Sequence, residues 1–301
     1  MSQRSNAPRA LAVLAAVVLA GCAAQMQPVA DFGGAANRLA TVYRPFAPGV
    51  AHSCEQRQRY IAMGNPGAFD AADAQRAAAV TCAPLREAGA TAALFAQVLG
   101  DYAGALIKVS GAKATAFDSE IRGLSSAAGS LETRDGTALF DTHKLAAAKR
   151  IARAAAVMLQ EGRIQLLARA TLEDNRAPLQ EVVEAMKTYA GAVYAGQLTD
   201  TRAVMRGELG RLVRASDAPT QADVEARLPW RFAQATTRAD IAANELEARH
   251  VREFVQSADA LLAAHEDLIA NFDKIGGARR LELVAAFVKQ VQAISDDAAE
   301  L

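Results

Sequence analysis

Histidine is the side chain whose charge changes most readily near neutral pH, and this chain has four: His52, His143, His250 and His265. His250 and His265 fall on the same apolar stripe as Leu246, Phe254, Leu261 and Leu268. Their fifteen-residue separation is about 22 Å along a straight helix, whereas the ligands of one metal lie within about 2–2.5 Å of it. They cannot share an ion, and each reads as a core or boundary histidine. His143, near Asp141 and Lys144, reads as exposed in the first turns of its helix, and His52 lies in an irregular, proline-containing stretch. His265-Glu266-Asp267 lacks the second histidine of a His-Glu-x-x-His zinc site. The chain has no Gly-x-Ser-x-Gly elbow, Cys-x-x-Cys-His, Gly-x-x-x-x-Gly-Lys or calcium loop. Carboxylate pairs such as Asp296-Asp297 lie near a chain end, and isolated carboxylates assign no general acid, because burial decides their pKa. The expectation is no catalytic residue, no metal and no cofactor.

Two further groups bear on binding. Lys149, Arg150 and Arg153 form a small basic cluster, with Arg163 and Arg169 further along, that could meet lipid phosphates or an acidic partner; a solvated helix face is the plainer reading. Tyr189, Tyr194 and Trp230 could line a groove or fill a core. Cys54 and Cys82 are expected to pair, since two cysteines in an exported chain meet an oxidising compartment. Closing that loop would add roughly 3–4 kcal/mol by chain entropy. The alternative is two separately buried thiols.

The elements that position these residues read as helices throughout. The 301 residues are 51% hydrophobic but only 5% aromatic, and alanine dominates. That mixture favours helices packed closely through small side chains and disfavours a β-sandwich. Lys and Arg number 33 and so do Asp and Glu, so the electrostatic footprint of a nucleic-acid binder is lacking. Residues 35–84 read as a small irregular portion of short helices broken at Pro45, Pro48, Asn65-Pro66-Gly67 and Pro84, with Asp70 as an N-cap. Residues 85–301 read as a long-helix bundle. Helices are expected over 85–109, 114–131 and 137–173, the last with Leu145, Ala148, Ala152, Ala155, Leu159, Leu166 and Ala170 inward. The next begins at an Asn175 cap and carries the stripe Leu179, Val182, Met186, Ala190, Val193, Gln197, Val204, Leu209 and Leu212. A long helix over 229–273 and a final one over 277–299 complete the pattern. Tyr102-Ala103-Gly104-Ala105-Leu106 recurs as Tyr189-Ala190-Gly191-Ala192-Val193, and each is followed by an Arg-Gly pair. If that echo is structural, the body is two stacked helical hairpins. The fold expected is all-α: an elongated bundle of long antiparallel helices.

The N-terminus has the three parts of a secretory signal over residues 1–21: Arg4 and Arg9, an apolar run from Ala10 to Ala20, and small residues before Cys22. The run is too short to span a bilayer, and no second long apolar run is evident. Leu19-Ala20-Gly21-Cys22 resembles the lipobox of bacterial lipoproteins at every position. The resemblance covers only the signal and Cys22. It implies that Cys22 carries palmitate-like acyl chains and that residues 22–34 are a lipidated tether; Ala23, in place of aspartate, implies the outer membrane with the body in the periplasm. Two or three acyl chains give stable anchoring.

The function expected is a membrane-anchored, non-catalytic interaction module of the cell envelope, of scaffold or inhibitor/immunity type, whose partners are the membrane and an envelope protein. The alternative is a binding module for a small apolar or envelope-derived ligand held between helices. An envelope hydrolase comes third.

Overall fold

The computed structural model describes residues 26–65, 69–110, 139–161, 166–216, 224–274 and 281–299. All elements among the described residues are helical, and together they form an elongated bundle. Residues 27–34, expected as tether, are the first turns of helix α1 (Gln27–Tyr43). Pro28 sits at its start, where a missing N–H costs nothing. Val29, Phe32, Ala35, Ala36, Leu39, Ala40 and Tyr43 are buried at helical spacing, and that face outweighs the roughly 1 kcal/mol by which each glycine of Gly33-Gly34 disfavours a helix. At Gly33 the missing side chain is used: a Cβ there would lie 2.7 Å from the carbonyl oxygen of Ala103.

The portion expected to be irregular is regular as well. Helix α2 (Phe46–Gly64) follows α1 after two residues, with Pro45 as N-cap and Pro48 in the first turn, where the backbone needs no donor. Helix α3 (Ala71–Thr81) starts at Asp70, whose carboxylate accepts from the backbone N–H of Ala72 and Asp73. Cys82 closes α3 and opens α4 (Ala83–Val109). It is bonded to Cys54 of α2 with Cα atoms 5.9 Å apart, so the expected disulfide ties α2 to the α3–α4 corner. By length and composition α4 could cross a bilayer, but 72% of its most apolar stretch is buried inside the protein. It is the central core helix.

The rest of the chain wraps these rods. Helices α5 (Thr142–Glu161), α6 (Leu166–Asp174) and α7 (Arg176–Thr188) lead into a π-turn at Tyr189–Tyr194, then α8 (Ala195–Ser216), α9 (Val224–Asn271) and α10 (Glu282–Ala299). The 48 residues of α9 make a rod of about 72 Å. It runs antiparallel to α1 and α2: Phe32 meets His265, Tyr43 meets Phe254, and Tyr60 donates to Asp240. Helix α4 is also antiparallel to α1 and α2, with Gly100 beside Ala40 and Gly89 against Ala47. Other neighbours are parallel. Thr201 of α8 donates to the Ser53 carbonyl of α2, and Glu208 lies beside Gly64. Phe287 of α10 meets Phe32, and Arg38 donates to Gln292. The bundle therefore mixes both directions.

An aromatic column crosses its middle. Phe95, Phe140, Tyr189, Tyr43 and Phe254 follow one another at centroid spacings of 4.9, 6.0, 6.2 and 4.9 Å. Such contacts add about 0.5–1.5 kcal/mol each beyond area burial.

Two expected stripes are shifted. Past α5 the buried residues are Ala168 and Leu172, while Ala170, expected inward, is exposed. Past the π-turn, Tyr194, Leu198 and Met205 are buried in place of Val193, Gln197 and Val204. Each is one residue later, because a turn closed by i→i+5 hydrogen bonds takes up an extra residue; at Leu212, buried as expected, the expected and observed stripes coincide again. Asn175 precedes α7 but does not cap it with its side chain, which donates backwards to the Thr171 carbonyl at 2.8 Å. The helix expected over 114–131 and the pair Arg122-Gly123 lie outside the described residues. The two Tyr-Ala-Gly-Ala segments differ in form: the first is α-helix and the second is the π-turn.

Candidate functional site

The π-turn faces the junction of α1 and α2. At 100° per residue Tyr189 and Tyr194 would point about 140° apart, whereas the underwound i→i+5 turn brings them towards one face. The Tyr189 hydroxyl donates to the Ala47 carbonyl at 2.8 Å, and the Tyr194 hydroxyl donates to Glu247 Oε2 of α9 at 2.7 Å. Burial first, and then the Glu247 carboxylate, holds the Tyr194 hydroxyl well above its ordinary pKa, so it is a neutral donor. Gly49 makes room for this ring: a Cβ there would lie 2.5 Å from the Tyr194 hydroxyl.

Between these groups lies a cavity of about 560 Å³, lined by Val42, Pro45, Phe46, Pro48, Gly49, His52, Tyr194, Glu247 and His250. Its wall is mainly apolar, and its polar groups converge from three elements: His52 from α2, Tyr194 from the π-turn, Glu247 and His250 from α9. Glu247 and His250 are three residues apart and so are neighbours on one helix face. His250 is 7% exposed and its Nε2 has no hydrogen-bond partner. Among the described residues Glu247 takes part in no ion pair; its hydrogen bond is the one from Tyr194. Along the same helix the Asn244 amide, Glu253 Oε2 and Ser257 Oγ are also buried without partners, as is the Tyr43 hydroxyl. Buried polar groups are ordinarily paired.

Two further hollows flank α2. One of about 500 Å³ lies against α3 and one of about 480 Å³ against α4. Both contain Glu55 and Arg86, which already pair with each other at 2.7 Å.

His265 is elsewhere. It is 2% exposed, lies between the rings of Phe32 and Tyr102, and shares a hydrogen bond of 3.1 Å with the Tyr102 hydroxyl. Burial, then the charge of Arg176, pushes its pKa down to about 4, so it packs as a neutral ring. The two histidines expected on the α9 stripe thus differ: His265 is partnered in the core, and His250 faces a cavity. His143 is exposed, with Nδ1 3.7 Å from Glu181. Among the described residues no group of three or more His, Cys, Asp and Glu side chains could hold a metal.

The surface offers two other candidates. At the start of α9, Leu228, Trp230 and Phe232 are 60, 37 and 75% exposed; Trp230 is neither core nor groove. In the basic cluster on α5, Lys149 is half-buried and Arg150 and Arg153 are exposed, beside the exposed Val157. Among the described residues none of the three basic groups is in an ion pair, whereas Arg169 pairs with Glu173 and Asp273. Cys22 lies outside the described residues. Compared with protein families, curated proteins and solved structures, the chain matches none of them.

Proposed function

We propose that the protein is a lipid-anchored, non-catalytic interaction module of the bacterial envelope, held by Cys22 at one end of its rod and contacting an envelope protein with the other. The observation that carries this reading is polarity of layout. Met26 and the start of α1 lie at the end where Phe32 meets His265 and Phe287. The exposed apolar residues 228–232 lie 33 or more residues earlier on α9 than His265, or about 50 Å away along the helix. From Cys22 to the buried Met26 is four residues, at most about 14 Å of chain. An anchor there keeps the base of the rod at the membrane and sends the apolar tip away from it. Isolated exposed apolar side chains are ordinary, but Leu228 and Phe232, four residues apart, share one helix face while Trp230 is exposed on the opposite side, and apolar side chains grouped in this way at the end of a rod suit a protein contact. The outer-membrane location follows the resemblance at Ala23.

The test is a photo-crosslinkable residue at position 232 in intact cells, with position 157 on α5 as the comparison. A discrete protein adduct from 232, absent from 157 and lost when Leu228→Glu is added without change in melting temperature, is the expected result. In Cys22→Ser cells the protein should leave the membrane fraction and the adduct should weaken. Membrane association equal to wild type in that variant would remove the anchor from the proposal. Equal adducts from 232 and 157 would remove the tip.

A further inference from the structure

The cavity at the α1–α2 junction is independent of the tip and of the anchor. We infer that it is a binding site for a small organic cation: a primary ammonium group on an apolar body.

The argument starts from charge. Four titratable groups line the cavity: His52, Tyr194, Glu247 and His250. Tyr194 is held neutral and spends its proton on Glu247. The wall contains no lysine or arginine, and among the described residues Glu247 takes part in no ion pair. A carboxylate accepts up to about four hydrogen bonds, and Tyr194 supplies one. The site thus presents an unneutralised negative charge to an apolar space, which selects for a cation and disfavours an anion. The hollows against α3 and α4 lack this property, because Glu55 is already paired with Arg86.

Hydrogen-bonding capacity narrows the class. An ammonium group has three donors and no acceptor. Beside the site that Tyr194 fills, the Glu247 carboxylate keeps acceptor sites for these donors. A quaternary ammonium would leave those sites unmet, and an alcohol would supply one donor and no charge. The apolar remainder fits the other walls. Phe46 and Tyr194 are aromatic faces whose ring centroids lie 5.7 Å apart, suited to a cation or a second ring; Val42, Pro45 and Pro48 complete the cavity. A cavity of about 560 Å³ is within the range of small-molecule sites, roughly 300–1,000 Å³.

The test is calorimetric titration of the full chain with three probes that share a ring and differ in head group: phenethylamine, 2-phenylethanol and 3-phenylpropionate. The amine should bind saturably at one site, the alcohol at least about tenfold more weakly, and the acid not measurably, because a hydrogen bond to a charged group carries about 1.5–3 kcal/mol. In Glu247→Gln, where the amide still accepts from Tyr194, amine affinity should fall at least about tenfold and become similar to that of the alcohol. Acid binding equal to amine binding would overturn the inference, as would undiminished amine binding in Glu247→Gln. Absence of saturable binding by all three probes at millimolar concentration would overturn it too. The ligand series on the wild type needs no variant to fold.

Discussion

Asp101 is a buried side chain whose environment opposes its charge. It lies in α4, is 8% exposed, and burial pushes its pKa up to about 6 against a smaller opposing pull from Arg44. The unfolded chain protonates at about 4. Its contribution to stability is therefore fully present below about pH 4 and lost as pH rises through about 6. His265 works the other way. With its folded pKa near 4, its contribution is present above the unfolded value of about 6.5 and lost as pH falls through about 4. Between these limits the two oppose each other and flatten the wild-type profile. Asp101→Asn keeps the neutral form at every pH, so it should melt higher than wild type at about pH 7.5, by up to roughly 2–3 kcal/mol of stability. That advantage should vanish near pH 4, leaving the variant with the acid-side loss due to His265 alone. A melting-temperature difference that is the same at both pH values would show that burial does not govern Asp101.

Helix contacts here depend on where side chains are missing. A Cβ on Gly89 of α4 would overlap the Ala47 carbonyl oxygen, which also accepts from Tyr189. Gly89→Ala must push α4 away from α2 or break that hydrogen bond, and it should destabilise by at least about 1–3 kcal/mol in urea unfolding. Gly34→Ala is the counterpart. Nothing lies within 4 Å of its would-be Cβ, so there the substitution should stabilise, by up to about 1 kcal/mol. A loss at Gly34 matching that at Gly89 would mean helix propensity is not what distinguishes them. The same pair shows what the sequence conveys. Gly33-Gly34 reads as a break because local propensity is all that is visible there, and the buried stripe from Val29 to Tyr43 that overrides it gains its value only from packing on α4, α9 and α10. Long helices with a repeating apolar face, the Asp70 cap and the Cys54–Cys82 pair were legible, since each is a local pattern or a matter of counting. The π-turn was not: it leaves composition untouched and moves the buried positions at Tyr194, Leu198 and Met205 one residue later than the stripe before it implies. The cavity was hidden for the same reason. Phe46, Tyr194 and Glu247 belong to three elements, and only the shifted face brings Tyr194 to Glu247.

At the scale of the molecule, the length of α9 sets the shape. Its contacts fix its direction at several levels: Arg176 with Glu266, Lys187 with Asp259, and Arg206 with Glu245 join α7 and α8 to it. Such exposed ion pairs contribute little individually. The continuous apolar face from Ala248 through Val251, Phe254, Ala258, Leu261, Ala264 and Leu268 holds it in the core. A compact domain of nearly 300 residues would have a radius of gyration of about 19 Å and measure about 50 Å across, whereas a straight 48-residue helix alone spans about 72 Å. Small-angle scattering from the protein should therefore give a maximum dimension of at least about 70 Å. The 228–232 segment extends past the level where Tyr60 meets Asp240, so internal deletion of residues 224–232 should shorten that dimension while leaving the aromatic column at Tyr43, Tyr189 and Phe254 intact. A maximum near 50 Å would mean that α9 folds back on itself, and an apolar tip set apart from the membrane would no longer follow from the layout.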